Sequence, residues 1–228
     1  MIDADAYFFD IDGTLMVTKD RVHWNGMHQA MTEVYGVETT FDGIPYHGKT
    51  DVAILRAALN RAGVSDARFY EDLPSALAVV CRDVSANRES IVPGVCPGIP
   101  EVLAEIQEAG RLLGVASGNL EEVGWHKISA AGLRKFFQFG SFADLHELRA
   151  QIFDHAAIRA RAALGANASI CFVGDTPDDI SAARAVKAKI IAVGTGIFAC
   201  DDLAAHHPDL CCRSCVELVG KLKKAQTA

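Results

Sequence analysis

The stretch Tyr7-Phe8-Phe9-Asp10-Ile11-Asp12-Gly13-Thr14-Leu15 decides the reading of this chain. Its apolar start reads as a buried strand, and Gly13 as the turn that ends it. Asp10 and Asp12 lie two apart, so on a strand they share a face and project together at its exposed end. Two crowded carboxylates there are costly unless a cation or a reaction uses them.

Outward from this stretch, helical and strand patterns alternate beyond about residue 97. Ile99 to Ala109 reads as a helix stopped by Gly110, and Leu112 to Ala116 as a buried strand. Glu121 to Ala131 is again helical, and a short strand is expected around Phe136 to Phe139. A long helix from Ala150 to Leu164 precedes the apolar strand Ser169 to Val173. Pro177 to Val186 fits a helix with proline in its first turn, followed by the strand Lys189 to Val193. This order predicts an α/β fold with a Rossmann-like parallel sheet covered on both faces.

The rhythm breaks between residues 17 and 93. Asn25 to Tyr35, Asp51 to Arg61 and Phe69 to Asn87 look helical, with no continuous apolar strand between them. The sequence therefore predicts a core domain of residues 1–16 and 94–228, with an inserted helical domain at 17–93. Two Pro-Gly steps in Val92 to Gly98 mark a return linker that is neither helix nor strand.

With 228 residues, half of them apolar, the chain can bury a substantial core. Its formal net charge of −7 argues against nucleic acid or an anionic membrane as the main partner. A small phosphorylated ligand stays compatible, because a local metal outweighs the global field. The chain lacks an apolar run of about 18 residues and a basic-then-apolar start, which predicts a soluble, cytoplasmic protein. Seven cysteines without a regular framework suit a reducing compartment. His206, His207, Cys211, Cys212 and Cys215 crowd together, but not as paired Cys-x-x-Cys units. A last strand followed by a helix start is preferred there over a structural zinc site. No residue pattern fixes an oligomeric state.

In an open parallel sheet, ligands sit beyond the carboxyl ends of the strands. Three such ends carry polar groups: Asp10 and Asp12, then Ser117-Gly118-Asn119, then Gly174-Asp175-Thr176-Pro177-Asp178-Asp179. Singly, each has an ordinary reading as a turn or a helix cap. Four carboxylates at two strand ends and a hydroxyl at a third are harder to explain as punctuation, and the joint reading is a single functional crevice.

These three segments, in this order, resemble motifs one, two and four of the haloacid dehalogenase-like hydrolase superfamily. The insertion between the first and second resembles the helical cap of the phosphoglycolate phosphatase and β-phosphoglucomutase branch. The resemblance implies a phosphatase acting on a small phosphorylated metabolite through a phosphoaspartate. A phosphosugar mutase is the main alternative. A dehalogenase, a phosphonatase or a non-catalytic phosphate-binding module fits less well, because Asp10, Asp12 and Asp175 are all present.

The groups themselves carry the chemistry. A carboxylate attacks an anionic phosphate only if a hard cation neutralises both, and Mg2+ suits an oxygen ligand set. Asp10 is assigned as nucleophile, and Asp10 and Asp175 as direct metal ligands. The resemblance adds the backbone carbonyl of Asp12. Asp179, four residues after Asp175, supports the metal shell. Asp12 is the general acid, then base. Ser117 and the Gly118 amide hold phosphoryl oxygens, and Asn119 orients the nucleophile or the phosphate.

The family's third motif supplies a Lys or Arg, often as Lys-Pro, which this chain lacks. Arg149 is the best substitute, and Arg159 and Arg161 are rivals read as a solvated helix face. In the insertion, Asp51 reads as a helix N-cap, and Lys49 is a candidate for substrate recognition. His23, Trp24 and His28 are further candidates to line the cleft. The metabolite itself is not legible in the cap sequence.

Overall fold

The structure is a computed structural model that describes residues 2–226. The chain runs β1 (Ala6–Phe9), β2 (Met16–Thr18), α1 (Val22–Tyr35), α2 (Asp51–Arg61), α3 (Asp66–Ala86), β3 (Pro93–Val95), α4 (Ile99–Glu108), β4 (Leu112–Ala116), α5 (Glu121–Ala130), β5 (Phe139–Ser141), α6 (Arg149–Leu164), β6 (Ile170–Gly174), α7 (Pro177–Ala185), β7 (Lys189–Val193), α8 (Cys200–Ala204), β8 (Leu210–Cys212) and α9 (Cys215–Gln226). Six strands form one sheet in the order β5-β4-β1-β6-β7-β8. Every pairing in it is parallel. The fold is the α/β class that the apolar runs predict, since strands buried on both faces have no polar side to alternate with.

The central strand β1 is wholly buried, and its alternate side chains enter two cores. Phe8 joins Phe153 of α6 and Phe172 of β6 on one face, where Phe153 and Phe172 stack with centroids 3.9 Å apart. Tyr7 and Phe9 join Val102 and Leu103 of α4 on the other face. Each such side chain contributes roughly 1.5–3 kcal/mol of burial, which sets the strand register firmly. No helix among the described residues is long and apolar enough to cross a membrane.

The helical segment α1–α3 packs on itself through Met27, Met31, Leu55, Phe69 and Val80. Its α3 begins earlier than the sequence predicts, because Ser65 caps it by accepting the Arg68 N–H, and it carries Pro74 in its interior. Asp51 is not the cap of α2. Thr50 fills that role by accepting the Ala53 N–H at 3.1 Å, which leaves the Asp51 carboxylate to other partners.

Two local expectations change. The linker at Val92–Gly98 is partly a strand, because β3 pairs antiparallel with β2 and stitches both chain crossings into one ribbon. Pro93 occupies the end of that ladder, where a missing N–H costs least. The strand expected at 136–139 lies at Phe139–Ser141, because residues 134–136 form a turn of 3-10 helix instead.

Candidate active site

Parallel register brings the polar strand ends together. Phe9 pairs with Val115 on one side and Val173 on the other, so the chain leaves β1, β4 and β6 at the same level. Asp10 directly follows β1, Ser117 follows β4 and Asp175 follows β6. This is the crevice beside the central strand that an open parallel sheet provides. Asp10 and Asp12 lie beyond the strand rather than on it, and Asp12 makes an isolated bridge with Met16. The two carboxylates therefore engage different partners.

Asp10, Asp175 and Asp179 converge, with one oxygen of each within 4.8 Å of the others. All three are buried. Arg149, at the start of α6, reaches into the group: its Nη2 is 2.7 Å from Asp10 Oδ2, and its Nε donates to Asp179 Oδ1 at 2.6 Å. Its Nη1 donates to the Gly48 carbonyl of the insertion at 3.1 Å. Burial opposes the Arg149 charge, but Asp10, Asp179 and Asp175 outweigh it and hold the guanidinium firmly protonated. Burial pushes the Asp10 carboxyl up to about 6; Arg149 pulls it down, and the Asp179 and Asp12 charges add to the rise. Asp175 is raised well above the carboxylate range by burial and by Asp10 and Asp179.

Asp179 is committed to structure on both oxygens. Its Oδ2 accepts the Thr176 N–H at 3.0 Å and the Thr176 hydroxyl at 2.7 Å, forming the cap of α7 while Oδ1 holds Arg149. Thr14 donates to Asp175 Oδ1 at 2.8 Å. Gly13, at φ +87°, lies so close to Asp175 that a Cβ would fall 2.2 Å from Oδ2. The turn thus needs glycine for both conformation and space. Asp10 and Asp175 offer oxygen donors alone, and the Asp179 charge behind them adds to a setting that suits a hard divalent cation.

Asp12 belongs to a second cluster. Lys127 Nζ donates to its two oxygens at 2.9 and 2.7 Å and to Asn119 Oδ1 at 2.7 Å. Asn119 Nδ2 donates to Asp12 Oδ2 at 2.8 Å and to Ser117 Oγ at 3.1 Å. Burial alone raises the Asp12 carboxyl, but Lys127 and Asn119 outweigh it and hold it below the usual range. Lys127 is the residue that the sequence reading missed. It is only 4 % exposed and shares the buried side of α5 with Val123, Gly124 and Ile128. A lysine three and four residues from buried positions was the available signal.

Several sequence-predicted residues fall beside these clusters. Gly118 sits under the insertion, where a Cβ would come 2.5 Å from the Lys49 carbonyl, and its own carbonyl accepts the Asp51 N–H at 2.8 Å. Lys49 Nζ meets Asp178 Oδ2 at 2.5 Å. The Asp51 carboxylate accepts the Leu120 N–H at 2.9 Å and lies 3.0 Å from His23 Nε2. His23 and Trp24 line the cleft, whereas His28 packs its ring on Phe41. Arg159 is directed elsewhere, donating to the Gly140 carbonyl at 2.6 Å. In the tail, Cys200 and Cys211 stand together with Cα atoms 6.2 Å apart, while Cys212 and Cys215 are buried in the core.

A cavity of about 400 Å³ joins the two clusters to the inner wall of the helical insertion. It is lined from the sheet side by Asp10, Asp12, Ser117, Arg149 and Asp175, and from the other side by Trp24, Tyr46 and Lys49.

An open parallel sheet with polar groups gathered beyond the carboxyl ends of β1, β4 and β6 is the class of α/β fold that places its ligand site at that edge. The model of the haloacid dehalogenase-like hydrolase family matches residues 4–187, and the chain belongs to that family. It is 30% identical over 138 residues to "Probable phosphatase IndB" of Dickeya dadantii (strain 3937). That match covers 58% of this chain and 60% of the relative, so the chain spans less than two thirds of that protein's length. Its fold is shared with CbbY from Rhodobacter sphaeroides in complex with phosphate, at 19% identity and a TM-score of 0.70 over 95% of this chain and 96% of that one. A predicted phosphoglycolate phosphatase from Haemophilus somnus 129PT superposes with a TM-score of 0.65 at 16% identity, over 96% and 98% of the two chains.

Proposed function

We propose that the protein is a Mg2+-dependent phosphatase that removes phosphate from a small phosphorylated metabolite through a phosphoaspartate on Asp10. The observation that carries this reading is the division of the paired acids. Asp10 lies among Asp175, Asp179 and Arg149, whereas Asp12 is held two residues away by Lys127 and Asn119. Attack and proton transfer need two carboxyl groups in different surroundings, and the separate partners of Asp10 and Asp12 support that division of roles.

Asp10, the Asp12 carbonyl and Asp175 would hold Mg2+, with Asp179 fixing the surrounding frame. The cation supplies the positive charge that lets a carboxylate approach a phosphate. Asp10 Oδ attacks phosphorus, and the bond from phosphorus to the ester oxygen breaks. Asp12, which Lys127 and Asn119 keep ionised in the free site, takes up a proton from solvent as the neighbouring phosphate charge raises its affinity for one, and gives that proton to the departing oxygen. Asp12 then takes a proton from water, whose oxygen attacks the same phosphorus and frees both inorganic phosphate and Asp10. Arg149 neutralises Asp10 and the phosphoryl oxygens, and Ser117 with the Gly118 amide receives charge as it shifts between oxygens. The segment 17–93 acts as the cap that excludes water and selects the leaving group, with Lys49 at its rim.

The test is Mg2+-dependent release of inorganic phosphate from p-nitrophenyl phosphate, together with trapping of acid-stable label on Asp10. Activity that survives Asp10→Asn overturns the reading.

A further inference from the structure

The cavity wall facing away from Asp10 carries a chemical signature of its own. Among the described residues that line the cavity, the fixed cations are Lys49, Lys127 and Arg149. Each already meets a carboxylate: Arg149 meets Asp10 and Asp179, Lys127 meets Asp12, and Lys49 meets Asp178. Two further acids, Asp20 and Asp51, also line the space. Asp20 is occupied by the Val22 and Val92 amides at 3.0 and 2.8 Å, so it is a fixed part of the wall. Among the fixed cations of this wall, a second anionic group on a ligand would find only Lys49, already paired with Asp178, while Asp20, tied to two amides, and Asp51, tied to the Leu120 N–H and set against His23, add negative charge.

The same wall is rich in planar and apolar groups. Trp24 is wedged against Phe41, with ring centroids 4.8 Å apart, and meets Tyr46 edge-on at 5.1 Å. Met27 and Ile54 continue this surface into the cavity. Partial desolvation lowers the His47 imidazole from its ordinary value, which weakens any positive charge it adds to the wall. Aromatic groups locked by their neighbours offer a stacking face at little ordering cost.

We infer that the leaving group is an uncharged, ring-bearing alcohol, so that the substrate is the monophosphate of a nucleoside or similar cyclic alcohol rather than a bisphosphate or a phosphorylated carboxylic acid. This rests on the phosphatase reading above. It also favours hydrolysis over phosphoryl return, since a mutase working through a bisphosphate must seat a second phosphate in the same cavity.

The experiment compares kcat/KM for benzyl phosphate and a nucleoside 5′-monophosphate with that for phosphoglycolate and fructose 1,6-bisphosphate, all with saturating Mg2+. The ring-bearing, uncharged pair is expected to lead by about tenfold or more, the worth of roughly one stacked ring and one unmatched charge. Affinities measured by calorimetry on Asp10→Asn, which is expected to bind without turnover, should rank in the same order. Trp24→Leu should lower kcat/KM for benzyl phosphate more than for glycerol phosphate, a ratio that a general loss of folding would not move. If phosphoglycolate or the bisphosphate matches or exceeds the ring-bearing substrates while p-nitrophenyl phosphate is hydrolysed, the inference is overturned and the phosphatase reading stands. If p-nitrophenyl phosphate is not hydrolysed with Mg2+, both fall.

Discussion

At the scale of single residues, Asp10 and Asp12 are distinguished by what touches them. Asp10 faces two further carboxylates and one guanidinium, whereas Asp12 faces an ammonium and an amide. Asp10→Asn keeps the shape and removes the proposed nucleophile. Mg2+-dependent p-nitrophenyl phosphate hydrolysis should vanish while the circular dichroism spectrum is unchanged. Lys127→Met removes the cation that orients Asp12. Its kcat should fall more for an alkyl phosphate, whose departing oxygen needs a proton, than for p-nitrophenyl phosphate. The alkyl loss should lie at or below the roughly 10²–10⁴-fold that general acid catalysis contributes, and equal losses on both substrates would remove Lys127 from this role. The sequence made Asp10, Asp12 and Asp175 conspicuous because each follows an apolar run. Lys127 was hidden because a lysine within a helix ordinarily marks a solvated face.

At the scale of elements, the start of α6 and the loop before α2 lock the insertion onto the sheet. Arg149 spans both, holding Asp10 and Asp179 on one side and the Gly48 carbonyl on the other. Arg149→Lys retains the charge but loses the planar fork that bonds Asp179 and the Gly48 carbonyl while it faces Asp10. It should reduce kcat sharply and lower the melting temperature, as seen by steady-state kinetics and thermal denaturation. Glu147, just ahead of α6, adds to this latch: it accepts from Arg56 at 2.9 Å and Tyr70 at 2.7 Å, and its carbonyl accepts the Thr50 hydroxyl at 2.6 Å. Gly118 is the pressure point beneath, where a methyl group would strike the Lys49 carbonyl. Gly118→Ala should therefore destabilise by about 1–3 kcal/mol, the usual cost of overpacking, and a melting temperature equal to wild type would show that the insertion sits less tightly than described.

At the scale of the whole molecule, the sheet gathers buried acids faster than it gathers cations. Asp10, Asp175 and Asp179 share a single arginine, so a divalent cation has a large imbalance to correct. Mg2+ should raise the melting temperature of chelator-treated protein, by an amount equivalent to about 2.7 kcal/mol when its concentration is a hundred times the Kd. Asp175→Asn should abolish that shift, and a full shift in this variant would place the cation elsewhere.

The sequence by itself determined the alternation of β4 through β7 with their helices, because burial on both sheet faces leaves continuous apolar runs that glycine and proline punctuate. It determined the nucleophile candidate and the acidic partner for the same reason, since polar residues directly after such runs have one place to go. Tertiary structure alone decided which acid pairs with which base. The Arg149, Asp10 and Asp179 contacts join segments far apart in the chain, as do those of Lys127 with Asp12 and of Lys49 with Asp178. Periodicity reports which face of an element is buried, but not which partner waits there. The short β2–β3 ribbon was hidden and the bounds of β5 were displaced on the same ground, because three-residue strands are fixed by their neighbours and carry too few side chains to show a pattern of their own.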